Sequence, residues 1–494
     1  MNSIKKINEI VKKTNRPIKT LQFGEGNFLR AFVDWMVDIA NGQGLMDNGI
    51  MIVKPIPFGG LGALNGQDCI YTVLLRGKQG GETINTKRAI TSVMGALDCY
   101  SQYDMYSELA KAPELRFIVS NTTEAGIVFD SSDSLSLTPP KSYPGKLTKF
   151  LYERWQAFNG DGDKGLIILP VELIERNGAA LRECCEKLCA LWNLPEGFVE
   201  WLNNSNIFCQ TLVDRIVTGY PKDMAGEIEA GLGYEDKLMV AGEPFALWVI
   251  ESTQPEVVKK ELPFDKAGLP VIFTDNLQPY RERKVRILNG AHTSTVLSAY
   301  LAGLDTVGEL MGDVQLRRML EHNVYTGLAP YVPLPAGEVK EFSDSVMERF
   351  ENPFIKHSLL SISLNSVSKF KSRVLPTILE AFEGTGSLPE PLCFALSSLM
   401  AFYSGEMRDG RLFSKRGAEE YEIMDDKAVL EFFADNKNLP ADKFAEAFLK
   451  REDFWGRDLS EIQGFADAVG RYLQGIRDKG IRKAIESVLS RWIY

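Results

Sequence analysis

Apolar residues in the first half of the chain fall in short runs, and the stretches between them carry apolar positions at helical spacing. Thr20-Leu21-Gln22-Phe23 leads into Gly24-Glu25-Gly26-Asn27, after which Phe28, Leu29, Phe32, Val33, Met36 and Val37 keep a helical period. This predicts a strand, a tight turn and a helix. Further strands are predicted at residues 50–53, 71–75, 117–119, 165–169 and 271–274, and helices around 106–110, 146–158 and 179–192. Strands alternating with amphipathic helices are the pattern of a doubly wound parallel sheet. From about residue 276 the strand signals fade, and runs at 307–320, 374–382, 391–403, 428–433 and 481–492 are all helical in period. The expected architecture is an α/β domain over residues 1–275 and a mostly α-helical domain over residues 276–494.

Composition narrows the class without changing that picture. The 494 residues are 45% apolar and 25% charged, the balance of a globular protein large enough for two or three domains. A formal net charge of −10 disfavours nucleic acid and anionic membrane as partners. The N-terminus has no apolar stretch of a signal peptide, and no run of 18 apolar residues occurs, so a cytoplasmic protein without a membrane partner is expected. Seven cysteines, an odd number, make no disulfide framework, and Cys184, Cys185 and Cys189 cluster without histidines nearby. With three histidines and no HxxxH or CxxC spacing, a built-in metal site is not expected.

Chemistry concentrates at Lys284-Val285-Arg286-Ile287-Leu288-Asn289-Gly290-Ala291-His292. At about 100° per residue, Asn289 lies near 140° and His292 near 80° from Lys284, on an arc shared with Val285, Leu288 and Val296. An amine, a carboxamide and an imidazole thus share an apolar side. A lysine buried there either meets a carboxylate or becomes a neutral amine able to move protons. A structural pairing and a catalytic trio both fit this spacing.

Three strand ends add candidates. Gly24-x-Gly26 suits a dinucleotide pyrophosphate, though Leu29 replaces the usual third glycine and Val53-Lys54-Pro55 supplies no acid for a ribose; a plain strand-to-helix turn is the alternative. Arg30 either reaches a phosphate or solvates the surface. Ser120-Asn121-Thr122-Thr123-Glu124-Ala125-Gly126 is either a ligand loop beside Gly24 or a polar turn with a cap. Glu172 and Asn177 follow another strand and point to the same sheet edge. Asp214-Arg215, flanked by apolar residues, is either a salt bridge or part of a site.

Taken together, the segments at 23–32, 120–126, 211–221 and 284–292 resemble the polyol-specific long-chain dehydrogenases, the mannitol dehydrogenase family, in that family's motif order from about residue 17 onward. The resemblance implies a Rossmann-type N-terminal domain, a helical C-terminal domain and metal-independent hydride transfer between NAD and a sugar alcohol or sugar acid. The particular forms of the motifs lean toward a sugar acid as the small-molecule substrate. By motif position Lys284 takes the role of the catalytic lysine, with Asn289 and His292 beside it. NAD contacts are implied for Phe23, Gly24, Glu25, Gly26, Asn27, Phe28, Leu29, Arg30, Asn121, Thr122, Thr123 and Glu124, and substrate contacts for Glu172, Asn177, Asp214 and Arg215. The family often carries an Asn where this chain has Glu172-Leu173, with Asn177 a possible replacement. A substrate carboxylate calls for a cation, and Lys356, His357 and Lys369 in two basic segments are the candidates; Lys371 reads as a solvated face. The rival readings are a relative acting on a different sugar acid or a neutral polyol, and a nucleotide-binding regulatory protein without turnover.

Overall fold

The computed structural model describes residues 4–123 and 125–491, so Glu124 lies outside the described residues. The chain forms two compact units, the first comprising residues up to Gly77 together with Thr83–Leu277, the second Lys78–Glu82 together with residues from Gln278 onward.

In the first unit the strands are β1 (Ile18–Phe23), β2 (Gly49–Lys54), β3 (Tyr71–Gln79), β4 (Glu82–Ile90), β5 (Val93–Asp98), β6 (Phe117–Ser120), β7 (Ile167–Pro170), β8 (Ile207–Phe208), β9 (Gln210–Asp214), β10 (Val217–Gly219), β11 (Val240–Gly242), β12 (Leu247–Glu251) and β13 (Val271–Thr274). Six of them make one sheet in the order β5-β2-β1-β6-β7-β8, every pair parallel. This is the doubly wound order whose direction reverses between β1 and β6. Alternate residues explain the near-continuous apolar runs. Leu21, Phe23, Val53, Ile118 and Ile168 pack with residues of helices Tyr143–Ala157 and Asn177–Leu191, whereas Ile50, Ile52, Phe117, Val119 and Leu169 pack with helix Val33–Gly42 and Trp248.

The first unit departs from the sequence reading in several ways: β5 and β8 of the parallel sheet and β4 and β9–β12 of the smaller sheets were not expected. Residues 71–75 and 271–274 are strands, but not of the parallel sheet: β3 lies in a second sheet ordered β10-β11-β3-β4, and β13 in a third ordered β13-β12-β9. The helix after Gly26 is also broken, into Asn27–Arg30 and Val33–Gly42. The cause is remote in sequence. The Arg215 guanidinium donates to the Ala31 carbonyl at 2.6 Å, diverting it at the break, and Phe32 leaves helical geometry at φ −127°, ψ −77°.

In the second unit, helix Gly290–Leu301 is buried along nearly its whole length and packs against the equally buried helix Glu390–Phe402. The region read as one helix at 307–320 is two, Val307–Gly312 and Val314–His322, because Asp313 leaves helical geometry and its carboxylate caps Gln315 and Leu316 at 3.1 Å. An antiparallel meander, β14 (Glu406–Arg408), β15 (Arg411–Arg416) and β16 (Glu419–Ile423), interrupts the helices. Lys78–Glu82, the tip of the β3–β4 hairpin, is held within this unit by Glu348, which accepts from the Gly80 and Gly81 N–H groups at 3.0 and 2.7 Å.

Candidate functional site

The sheet's reversal point is where a ligand crevice is expected in an open α/β fold. Phe23 and Ser120 are register partners, so the chain leaves β1 and β6 side by side. Gly24 adopts φ +120°, a conformation L side chains rarely take, and an added Cβ would lie 3.0 Å from the Asn121 carbonyl oxygen and 3.3 Å from Leu29 Cδ1. Only glycine lets the two loops approach this closely. Gly26 and Asn27 are exposed, and a Cβ on Gly26 would meet nothing within 4 Å. A cradle of turn N–H groups with open space above is what a pyrophosphate requires. The four-residue helix behind it adds little dipole.

Beside the turn lies a cleft of about 330 Å³ lined by Phe28, Asn121, Thr123, Val171, Leu173 and Val213. Sequence reasoning named the first three and missed the apolar wall. Its signal was available in Pro170-Val171-Glu172-Leu173, where apolar residues alternate just past a strand end.

Several candidates in this unit shape the site from behind. Phe23 is buried against Tyr143, ring centroids 5.0 Å apart, and belongs to the core. Leu29 is buried beneath Gly24. Arg30 is 7% exposed and donates to the Leu238 carbonyl at 2.7 Å and Asn27 Oδ1 at 2.6 Å, with Tyr71 beneath it, so it pins the turn rather than reaching a phosphate. Glu172, 2% exposed, accepts from the Thr122 N–H and hydroxyl, both at 3.0 Å, and from Ser120 Oγ at 3.1 Å. Its carboxylate organises the 120–123 loop, and burial pushes its pKa up despite those bonds. Asn177 spends its amide on the Pro170, Glu172 and Thr211 carbonyls and its oxygen on the Thr211 and Gly178 N–H groups. The contact with substrate expected for Asn177 has no polar group left to make it. Arg215 binds the Ala31, Pro244 and Phe245 carbonyls and lies over Trp35; it locks the broken helix, and Asp214 is buried at the end of β9. Burial pulls the Arg215 pKa down to about 9.

Beneath the turn, Asp34 is wholly buried and accepts from Tyr71 Oη at 2.5 Å and Gln22 Nε2 at 3.4 Å; the same amide donates to the Gly24 carbonyl at 3.2 Å. Burial outweighs these bonds and raises the Asp34 pKa to about 7.

In the second unit, Lys284–Asn289 is a π-helical stretch that continues without a break into helix Gly290–Leu301. The sequence reading assumed α geometry. In a π turn the bonds run from i to i+5, which brings Asn289 nearer the face of Lys284 than α geometry would. Such single turns recur at functional sites. Arg286 anchors the stretch from its other side, through two bonds to Glu380 at 2.5 and 2.6 Å and one to the Tyr331 carbonyl at 2.8 Å. Lys284 and Asn289 are half-buried rather than sealed, so the full burial cost inferred from α periodicity does not fall on the amine.

His292 stacks on Phe350, ring centroids 4.3 Å apart at 21°, and meets the His357 ring edge-on at 5.3 Å. Its Nε2 is sealed from solvent without a hydrogen-bond partner. Burial, reinforced by His357, Arg349, Arg373 and Lys369, holds its pKa well below the ordinary value, so the ring is neutral. Burial lowers the pKa of His357, Lys369 and Arg373 as well. Lys369 donates to the Ile362 carbonyl at 3.0 Å, and Arg373 to Thr293 Oγ1 at 3.4 Å. A neutral imidazole grouped with several cations is an environment that suits an anion. Lys356 is exposed and is not among the cations acting on His292. Sequence reasoning missed Arg349 and Phe350, which arrive on a separate helix, Ala336–Phe350; Arg373, one helical turn past Lys369, was within the basic segment it singled out.

A parallel sheet that reverses at a glycine turn gives the first unit the form of the dinucleotide-binding domain of a dehydrogenase. The family models agree: residues 18–266 match the mannitol dehydrogenase Rossmann domain and residues 276–477 the mannitol dehydrogenase C-terminal domain. The chain belongs to the mannitol dehydrogenase family. Among its relatives are proteins named altronate oxidoreductase, one from Escherichia coli O7:K1, 44% identical over 476 residues with 95% of this chain and 96% of the relative covered, and one from Shigella flexneri, 43% identical over the same shares. In fold it is similar to a D-sorbitol dehydrogenase (TM-score 0.77, 21% identity, 95% of each chain) and to Pseudomonas fluorescens mannitol 2-dehydrogenase (TM-score 0.65, 22% identity, 96% of this chain and 95% of that one). No helix among the described residues is long and apolar enough to cross a membrane.

Proposed function

We propose that this protein is an NAD-dependent oxidoreductase that interconverts D-altronate and D-tagaturonate. The relatives' name supports the substrate, and the observation that carries the reading for this chain is the group of cations around His292, which suits a substrate bearing a carboxylate. Residues 1–275 hold the cofactor and residues 276–494 carry the substrate chemistry; the enzyme works in the cytoplasm, and its net charge of −10 disfavours nucleic acid as a partner.

NAD, when bound, supplies the hydride acceptor in oxidation and, as NADH, the donor in reduction. Residues 24–28 and 121–123 suit the dinucleotide, the glycines admitting its phosphates. Lys284 takes the hydroxyl proton of altronate in oxidation and returns a proton to the tagaturonate carbonyl oxygen in reduction. Asn289, brought nearer the face of Lys284 by the π turn, donates an N–H to that oxygen as its charge develops. Neutral His292, fixed by Phe350, accepts from or donates to a neighbouring substrate hydroxyl. Arg373, Lys369 and Arg349 hold the carboxylate.

The test is NADH oxidation with tagaturonate, fructuronate and fructose at equal concentration. Tagaturonate is expected to give the highest kcat/KM and fructose the lowest. A preference for fructuronate would move the reading to the mannonate oxidoreductase branch, and a preference for fructose would remove the carboxylate argument.

A further inference from the structure

We infer that Asp98, through its hold on Lys54, sets the choice of NAD over NADP; the inference rests on the reading of the first unit as dinucleotide-binding. In doubly wound dinucleotide folds an acid near the end of the second strand takes the ribose 2′-hydroxyl, and a cation there accommodates a 2′-phosphate. Here β2 ends in Lys54, a residue that alone would favour the phosphate.

The structure withdraws that charge. Lys54 is 2% exposed, and its ammonium lies 3.0 Å from Asp98 Oδ2 while donating to the Gly59 carbonyl at 2.9 Å. Asp98 ends β5 and is the register partner of Lys54, so the acid comes from the strand beside the usual one. The Asp98 side chain is 24% exposed at that strand end, and it also accepts from the Tyr100 N–H at 3.0 Å. Although partial burial opposes it, bonds from Tyr100 and Lys54 hold this carboxyl below its usual pKa, so the carboxylate stays ionised at neutral pH. A 2′-phosphate arriving here would face the Asp98 carboxylate and find Lys54 already neutralised. The intervening loop offers Phe58, 70% exposed, as an apolar surface for adenine.

The experiment measures NADH and NADPH dissociation constants by nucleotide fluorescence, together with the thermal shift each nucleotide causes, on full-length wild type, Asp98→Asn, Asp98→Ala and Lys54→Met. Wild type should bind NADH at least tenfold more tightly than NADPH. Both Asp98 variants should bind NADPH at least tenfold more tightly than wild type does, with NADH changed less than threefold and with a larger NADPH thermal shift than wild type shows. Lys54→Met should still exclude NADPH, and the double variant Lys54→Met/Asp98→Asn should lose the gain. An unchanged NADH-to-NADPH ratio in Asp98→Asn, which preserves shape, would overturn the inference while leaving NADH binding intact. Failure of wild type to bind either nucleotide would overturn the dinucleotide reading itself.

Discussion

Replacing Arg373 with Met tests the proposed carboxylate contact by removing one charge while preserving most of the side chain's length. The guanidinium is half-buried and its bond to Thr293 Oγ1 is long at 3.4 Å, so it can be given to a ligand at little cost to the fold. A hydrogen bond to a charged group contributes about 1.5–3 kcal/mol. At about 1.4 kcal/mol per factor of ten, its loss should lower kcat/KM for tagaturonate by about tenfold to a hundredfold. The effect should lie mainly in KM, because the carboxylate is held alike before and during reaction. A neutral ketose such as fructose should lose less than about threefold, since it has no carboxylate to forfeit. Arg373 is also one of the cations that keep His292 neutral, so the variant should raise the His292 pKa and move the acid limb of the kcat/KM profile to higher pH. Steady-state kinetics on both substrates from pH 5 to 9 would measure all of this. Equal losses on the uronate and the neutral sugar, with an unmoved acid limb, would refute the reasoning.

Two further substitutions probe the first unit. Gly24→Ala places a Cβ 3.0 Å from the Asn121 carbonyl oxygen at φ +120°, which should cost about 1–3 kcal/mol of stability and weaken NADH binding at least tenfold; wild-type affinity by fluorescence titration would contradict the close-approach argument. Asp34 is a carboxyl whose folded-state pKa is raised to about 7, so the stability it contributes is full below its unfolded value and is lost as pH rises through about 7. Asp34→Asn should therefore stabilise the fold above pH 7 by up to about 4 kcal/mol, at about 1.36 kcal/mol per pKa unit, and by progressively less toward pH 4. Urea denaturation across that range would show parallel curves for the two proteins if the argument were wrong.

How much of this was legible in the sequence depends on how local each cause is. The strand, turn and Gly24 of the cofactor edge could be read because one short segment carries them. The break after Arg30 could not, since Arg215 imposes it from far along the chain. Strands β4 and β9 to β12 escaped although β3 and β13 of the same small sheets were read, and β5 and the two-residue β8 of the parallel sheet escaped as well. The β14–β15 hairpin did carry a signal: Asp409 and Gly410 both adopt positive φ, the Asp-Gly pattern of a tight hairpin turn, and Leu412, Ser414, Tyr421 and Ile423 are buried at alternate positions of their strands. The helical character of the surrounding chain hid it. Around Lys284, Asn289 and His292 the local geometry was not readable, because a π turn leaves no periodic trace and the partners of His292 come from other helices.

In the proposed mechanism Lys284 moves the proton. The most direct measurement is the kcat of Lys284→Ala for NADH-linked tagaturonate reduction, with NADH affinity determined on the same preparation. Loss of a positioned acid–base group should lower kcat by about a hundredfold to ten-thousandfold while NADH binding stays within about twofold of wild type. A variant that binds NADH normally and keeps more than about a tenth of wild-type kcat would contradict it.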